Sequence, residues 1–152
     1  MRRAGLLCAL VLLAAGPRAQ EPQPTRETAV AAALDAFWQA LGTGDAEGFR
    51  AAVDLPLTLQ EIGAEGAVGE RFVVTAADWP RWARLFPDRP RADLGPAPRV
   101  ADLRLEWITP RICQAVYNVS QDEGDRGRVA LRQTTLLVRR DGWRVALSTL
   151  PT

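Results

Sequence analysis

A few residues of this chain place a reactive or hydrogen-bonding side chain on an otherwise apolar face: Trp38, Glu61, Tyr117, Arg132, Thr134 and Thr149. Glu61 continues the inward phase of Leu57 and Leu59, and a carboxylate enclosed there would work as a general base with a raised pKa. Tyr117 runs in phase with Cys113, Ala115 and Val119, and its phenol can donate to a developing negative charge. Arg132 offers two parallel N–H donors to a ligand carboxylate. Thr134 and Thr149 face each other beside it if Asp141-Gly142 is a two-residue turn, and Trp38 adds an aromatic wall. Each has a plain structural reading too. Glu61 then is a strand-end carboxylate, exposed or paired with an arginine, Tyr117 and Trp38 are core residues, and Arg132 reaches solvent.

Composition excludes several other chemistries. The 152-residue chain has no histidine, and its 19 basic residues are all arginine. A tight metal site built on His or clustered Cys has no ligands, and Asp122, Glu123 and Asp125 read as a solvated turn, so no metal is expected. Cys113 has no His partner for thiol catalysis, and no phosphate loop is present, so no cofactor is expected. Asn118-Val119-Ser120 matches a glycosylation sequon that matters only in a eukaryotic secretory pathway, whereas the Arg-only, Ala-rich composition suggests a bacterium.

Arg2 and Arg3 followed by the apolar run Ala4–Ala15 read as a signal peptide, residues 1–19, cut after Ala19. The run is too short to span a bilayer. Retention as an uncleaved anchor and lipidation at Cys8 are the minor alternatives, since GLLC lacks the small residues that precede a lipidated cysteine. The expected location is therefore periplasmic or secreted, with no membrane contact after cleavage. Losing three of the 19 arginines leaves 16 against 18 carboxylates, a net charge of −2 that does not point to nucleic acid. Cys113 is then the one remaining cysteine, so packing must hold the core together.

Residues 20–25 read as a polar, Pro-bearing, disordered lead-in, and one domain follows over 26–152. Ala29, Val30, Ala33, Leu34, Phe37, Trp38 and Leu41 recur at helical spacing, with Thr25 as N-cap and Gly42 and Gly44 as stop signals. Asp45 caps a short second helix with Phe49, Ala52 and Val53 on its core side, ended by Pro56. Leu55–Gln60 alternates as a strand, glycines turn the chain, and Arg71–Val74 is a second strand. Trp79, Trp82, Ala83 and Phe86 predict a third helix with Pro80 in its first turn. Pro87–Arg99 is a Pro-rich loop, and four strands follow: Ala101–Ile108, Arg111–Ser120, Arg128–Arg140 and Trp143–Leu150. The turn at Asp141-Gly142 predicts the pairs Arg140/Trp143, Val138/Val145, Leu136/Leu147 and Thr134/Thr149. It puts Arg139, Arg144, Ser148 and Gln133 on the opposite, solvated or partner-binding face.

This order resembles the nuclear transport factor 2-like superfamily, which includes SnoaL-like and ketosteroid isomerase-like proteins. LGTGDAEGFRAAV (41–53) resembles its helix, Gly-Asp, helix signature, and RRDGWRV (139–145) its closing hairpin. The resemblance implies an α+β fold: a strongly curved, mostly antiparallel sheet wrapped around a long N-terminal helix, cone-shaped with a central cavity. It also implies that the catalytic tyrosine of the isomerase-like members corresponds to Phe37, which has no hydroxyl, and that their base falls near Glu61. The expected function is non-enzymatic: an exported domain binding a small apolar or carboxylate-bearing ligand, or a protein partner, with a homodimer through the outer sheet face. The alternative is a SnoaL-like isomerase, cyclase or hydratase with Glu61 as general base and Tyr117 or Arg132 stabilising charge.

Overall fold

The computed structural model describes residues 25–63, 66–88, 98–122 and 128–151. The expected signal peptide, Cys8 and the lead-in to Pro24 lie outside the described residues, as do most of the Pro-rich loop and the middle of the acidic turn.

Helix α1 (Arg26–Thr43) begins where Thr25, in extended backbone, accepts a bond from Thr28 N at 3.2 Å. It ends at Gly44, whose φ of 69° is left-handed and lets its N–H reach back to the last turn. Val30, Leu34, Phe37, Trp38 and Ala40 are its buried stripe. Asp45 then caps α2 (Ala46–Ala52) by accepting from Gly48 N at 2.9 Å. Gly44 is doubly constrained, because a Cβ there would lie 2.6 Å from Pro87 Cγ. The corner between the two helices thus fits closely against the chain that follows α3 (Trp79–Ala83).

The sheet contains β1 (Val53–Ile62), β2 (Val68–Val74), β3 (Arg99–Thr109), β4 (Ile112–Asp122), β5 (Arg128–Arg139) and β6 (Trp143–Pro151), in the order β2-β1-β6-β5-β4-β3. It is curved and unclosed, and antiparallel except where β1 runs parallel to β6. That parallel pair joins the start of the sheet to its end, so the N-terminal helices and the C-terminal hairpin share one core. Val53 starts β1 opposite Val145 and does not belong to α2, and Pro56 lies inside the strand, at a bulge between Val53 and Thr58. Pro80 takes the first turn of α3 as expected, but that helix is short and gives way to turns before Phe86.

One phase differs from the sequence reading. The closing hairpin has a three-residue connection with Arg139 opposite Trp143, and a bulge between Leu136 and Leu137 restores the expected Leu136/Leu147 pair further on. The bulge lets Trp143, Val145 and Ser148 all face inward, opposite the buried Gln133, Thr135 and Leu137 of β5. Arg132 and Thr134 therefore lie on the other face, and Gln133 and Ser148 exchange roles with them. At Glu61 the β1–β2 ladder is irregular, Gln60 pairing with Arg71 and Ile62 with Val68, with the extra residue on β2, while β1 stays in register with β6 and Glu61 is half-buried at the strand end.

Substituting Gly44→Ala is expected to destabilise the fold by about 2 kcal/mol, from the left-handed backbone and the contact with Pro87. Gly142→Ala, with open space at its Cβ, should stay within about 0.5 kcal/mol. Urea titration of both variants checks this.

Candidate functional site

The inner face of the sheet carries one polar chain within an apolar core. Tyr117, only 1% exposed, projects from β4 toward α1 and accepts a bond from Trp38 Nε1 at 2.9 Å. Its hydroxyl lies 2.7 Å from Thr135 Oγ1, which lies 3.1 Å from Ser148 Oγ. Ser148 in turn donates to the Thr149 carbonyl at 3.3 Å. The indole can only donate and the carbonyl can only accept, so the ends fix the direction, each hydroxyl donating to the next. Among the described residues no buried side-chain nitrogen or oxygen lacks a partner.

This arrangement makes Tyr117 a poor acid. Burial pushes its phenol above the ordinary value of 10.0, and the neighbouring Thr135, Trp38 and Ser148 side chains offset only part of that. Burial likewise raises the Cys113 thiol, which is wholly enclosed on the same strand, so it stays protonated.

The other expected site residues are dispersed. Glu61 Oε2 accepts from Glu70 N at 3.3 Å, bracing the β1–β2 hairpin. Strands β6 and β5 separate β1 from β4, which puts Glu61 and Tyr117 three strand spacings apart, about 14 Å along the sheet. Thr149 Oγ1 accepts from Thr134 N at 2.9 Å and donates to Gln133 Oε1 at 2.9 Å, so the two threonines do meet, but in a strand-to-strand link. Arg132 borders a groove on the outer face with Asp102, Arg104 and Asn118. Of the candidates, Trp38 is bonded to Tyr117 and Thr134 to Thr149, and the two pairs serve the core and a strand-to-strand link respectively. Among the described residues no three His, Cys, Asp or Glu side chains gather as metal ligands do.

Open volume lies elsewhere, at the end of the core bounded by α1, α2, β1 and the segment after α3. A pocket of about 370 Å³ is lined by Phe37, Leu41, Gly44, Phe49, Leu59, Trp82, Leu85, Phe86 and Pro87. Its floor is an aromatic cluster: Phe49 lies 5.3 Å from Phe37 and 5.4 Å from Phe86, and stacks on Trp79 at 6.2 Å. Leu85 stands at the rim, 75% exposed. Among the described residues no lining side chain carries a charge, and the indole N–H of Trp82 is the one side-chain donor. Sequence reasoning placed Phe37 but not this pocket. The helical spacing of Trp79, Trp82 and Phe86 was a usable signal, whereas the turn that presents Leu85 and Pro87 had none.

Three comparisons bear on this architecture. No protein-family model and no curated protein matches the chain. Solved structures do. A nuclear transport factor 2-like protein of unknown function from Shewanella oneidensis aligns with TM-score 0.60 and 12% identity, over 84% of this chain and all of that one. One from Pseudomonas putida, also of unknown function, aligns with TM-score 0.56 and 15% identity over 79% of this chain and 81% of that one. An uncharacterised Caulobacter vibrioides protein with a cystatin-like fold aligns with TM-score 0.52 and 20% identity, covering 80% and 84%. At such identities the likeness shows the fold, the curved sheet around a long helix, and leaves the site to be argued from its own residues.

Tyr117 is the only tyrosine, so tyrosinate absorbance reads it alone. Because its folded pKa is raised, its contribution to stability is fully present below the ordinary value of 10.0 and is lost as pH rises through the higher folded value. Tyr117→Phe should cost about 1–3 kcal/mol by stranding the Trp38 N–H, and should flatten the alkaline loss of melting temperature. An ordinary phenol titration in the native protein would contradict the assignment.

Proposed function

We propose that this nuclear transport factor 2-like domain is exported and binds a small apolar molecule in the pocket between α1, β1 and the segment after α3. The observation that carries the reading is an opening of about 370 Å³ walled almost wholly by hydrocarbon, a volume within the range of ligand sites. Export rests on Arg2, Arg3 and the apolar run behind them.

Recognition in such a site follows from area and shape. Each methylene withdrawn from water contributes about 0.8 kcal/mol, so an eight-carbon chain offers about 6 kcal/mol before the cost of association. The Trp82 indole can orient one acceptor atom of the ligand. Binding is favoured over catalysis because among the described residues no lining group can transfer a proton. Phe37, where the resemblance implies the tyrosine of isomerase-like proteins, contributes only its ring to the wall.

The test uses decanol and naphthalene as probes of the whole chain, with melting temperature and tryptophan fluorescence as readouts. Saturating ligand, at about 100 times Kd, should stabilise the fold by about 2.7 kcal/mol. Leu85→Glu puts a charge on an exposed rim and should weaken binding at least about tenfold while leaving the unliganded melting temperature in place. Absence of any thermal shift with either probe, or unchanged affinity in that variant, would refute the reading.

A further inference from the structure

The sheet has two edge strands, and they are finished differently. β2 carries an extra residue between Val68 and Arg71 and is braced from β1: Gln60 Nε2 donates to the Gly69 and Glu70 carbonyls at 3.1 Å each, and Glu61 accepts from Glu70 N. β3 is bonded to β4 along one side only, and among the described residues no other hydrogen bond reaches the backbone of residues 103–107. Such an edge is a template for a further strand. Its side chains alternate: Leu103, Leu105 and Trp107 are half-buried and pack against the core, whereas Arg104 and Glu106 are exposed on the outer face.

Two irregularities frame this stretch. Ala101 pairs with Asn118 but Arg104 with Val116, and Trp107 pairs with Cys113 but Thr109 with Ile112, so β3 carries one extra residue at each end. Between them Arg104, Leu105, Glu106 and Trp107 oppose Val116, Ala115, Gln114 and Cys113 without a break. At the first irregularity Asp102 absorbs the distortion at φ 52°, a left-handed backbone that Asp tolerates better than most residues, and accepts a bond from Asn118 Nδ2 at 2.8 Å. In an unbroken ladder Leu103 would oppose Val116 and face outward, while Arg104 would turn inward. The bulge instead puts Leu103 against the core and Arg104 outside. A strand added at this edge therefore meets a short regular segment centred on Leu105.

We infer that β3 pairs with β3 of a second copy of this chain, antiparallel about a two-fold axis at Leu105, joining the two sheets edge to edge. Charge sets the register. A two-fold axis normal to the sheet brings residues of one face opposite each other, so outward side chains meet outward ones. With Leu105 opposite its own copy, Arg104 meets the partner's Glu106, Glu106 meets the partner's Arg104, and Leu103 meets the partner's Trp107. The neighbouring registers centre the axis on Arg104 or on Glu106 and set like charges against each other, which is unfavourable. The order Arg-Leu-Glu is thus complementary to itself, which selects a second copy as the occupant. Among the described residues neither Arg104 nor Glu106 has an ion pair of its own. One short strand from each copy covers less than the about 1,200 Å² of a standard stable interface, so the dimer is weak, with Kd in the micromolar range.

Sedimentation equilibrium of the full chain, from about 10 µM to about 1 mM in about 50 mM salt, reads the association with little screening. The unaltered chain should dimerise in this range. Arg104→Glu and Glu106→Arg each set like charges opposite in the dimer and should weaken it at least about tenfold. Joining both changes in one chain, or mixing the two single variants, restores opposite charges across the axis and should return the affinity to within about threefold of the unaltered chain. Both positions are exposed, and circular dichroism confirms the fold of each variant. Association elsewhere on the chain is common to all these proteins and does not follow the charge exchange. Several results overturn the proposal: a monomer at every concentration, equal association of all the variants, or a loss in the single variants that neither the double variant nor the mixture recovers. A dimer that the charge variants keep and Val138→Glu dissociates belongs to the outer face of β4 and β5 and overturns it too.

Discussion

The bond between Trp38 Nε1 and Tyr117 Oη fixes how α1 lies on the sheet. Apolar contacts alone would let a helix slide or rotate over a curved surface at little cost, because dispersion and burial are not directional. A buried N–H that must find one oxygen is directional, and leaving it unmade costs a desolvated donor. Tyr117 is itself held from β5 by Thr135, and Thr135 from β6 by Ser148, so one chain of bonds ties the helix to three strands. Everything α1 carries, including Phe37 and Leu41 at the pocket, is placed by that link.

Around it the two ends of the inner core are built differently. Toward β3 and the closing hairpin, Trp107 meets Trp143 edge to face at 5.5 Å, and the Arg26 guanidinium lies 4.3 Å over Trp107, which seals that end. Toward α2 the filler is the Phe37, Phe49, Trp79 and Phe86 cluster, whose rings sit 5.3–6.3 Å apart. Large rigid rings leave space that smaller side chains would have closed, and the pocket is that space. Gly44 and Pro87 bound it, so the stop signal of the first helix also shapes the site.

The two faces of the sheet separate two kinds of interaction. Inside, polar groups are few, buried and mutually satisfied, so they specify geometry and offer little to a ligand. Outside, Arg104 and Arg132 border the half-buried apolar side chains of β4 and β5. The β3 bulge at Asp102 sets this division by exchanging Leu103 and Arg104 between the faces. A regular strand would have buried a charge and exposed a leucine.

Much of this was legible in the residues. The capping Thr25 and Asp45, the left-handed Gly44, the spacing of Val30, Leu34, Phe37 and Trp38, and the alternation of Cys113, Ala115, Tyr117 and Val119 fixed α1, α2 and the inner face of β4, because those signals are local. β5 was not legible. Leu131, Gln133, Thr135 and Leu137 are no more polar than Ala130, Arg132, Thr134, Leu136 and Val138, so alternation alone could not choose which series enters the core. Pairing with β4 chose it, setting Gln133 against Tyr117 and Leu137 against Cys113. The bulges in β6 after Val145 and in β3 at Asp102 shifted phase by single residues, which turned Ser148 toward the core and Arg104 away from it. The sequence by itself determined the elements and the absence of histidine chemistry. Only the tertiary structure decided that Tyr117 answers Trp38 rather than Glu61, since register and bulges depend on contacts between strands distant in the chain.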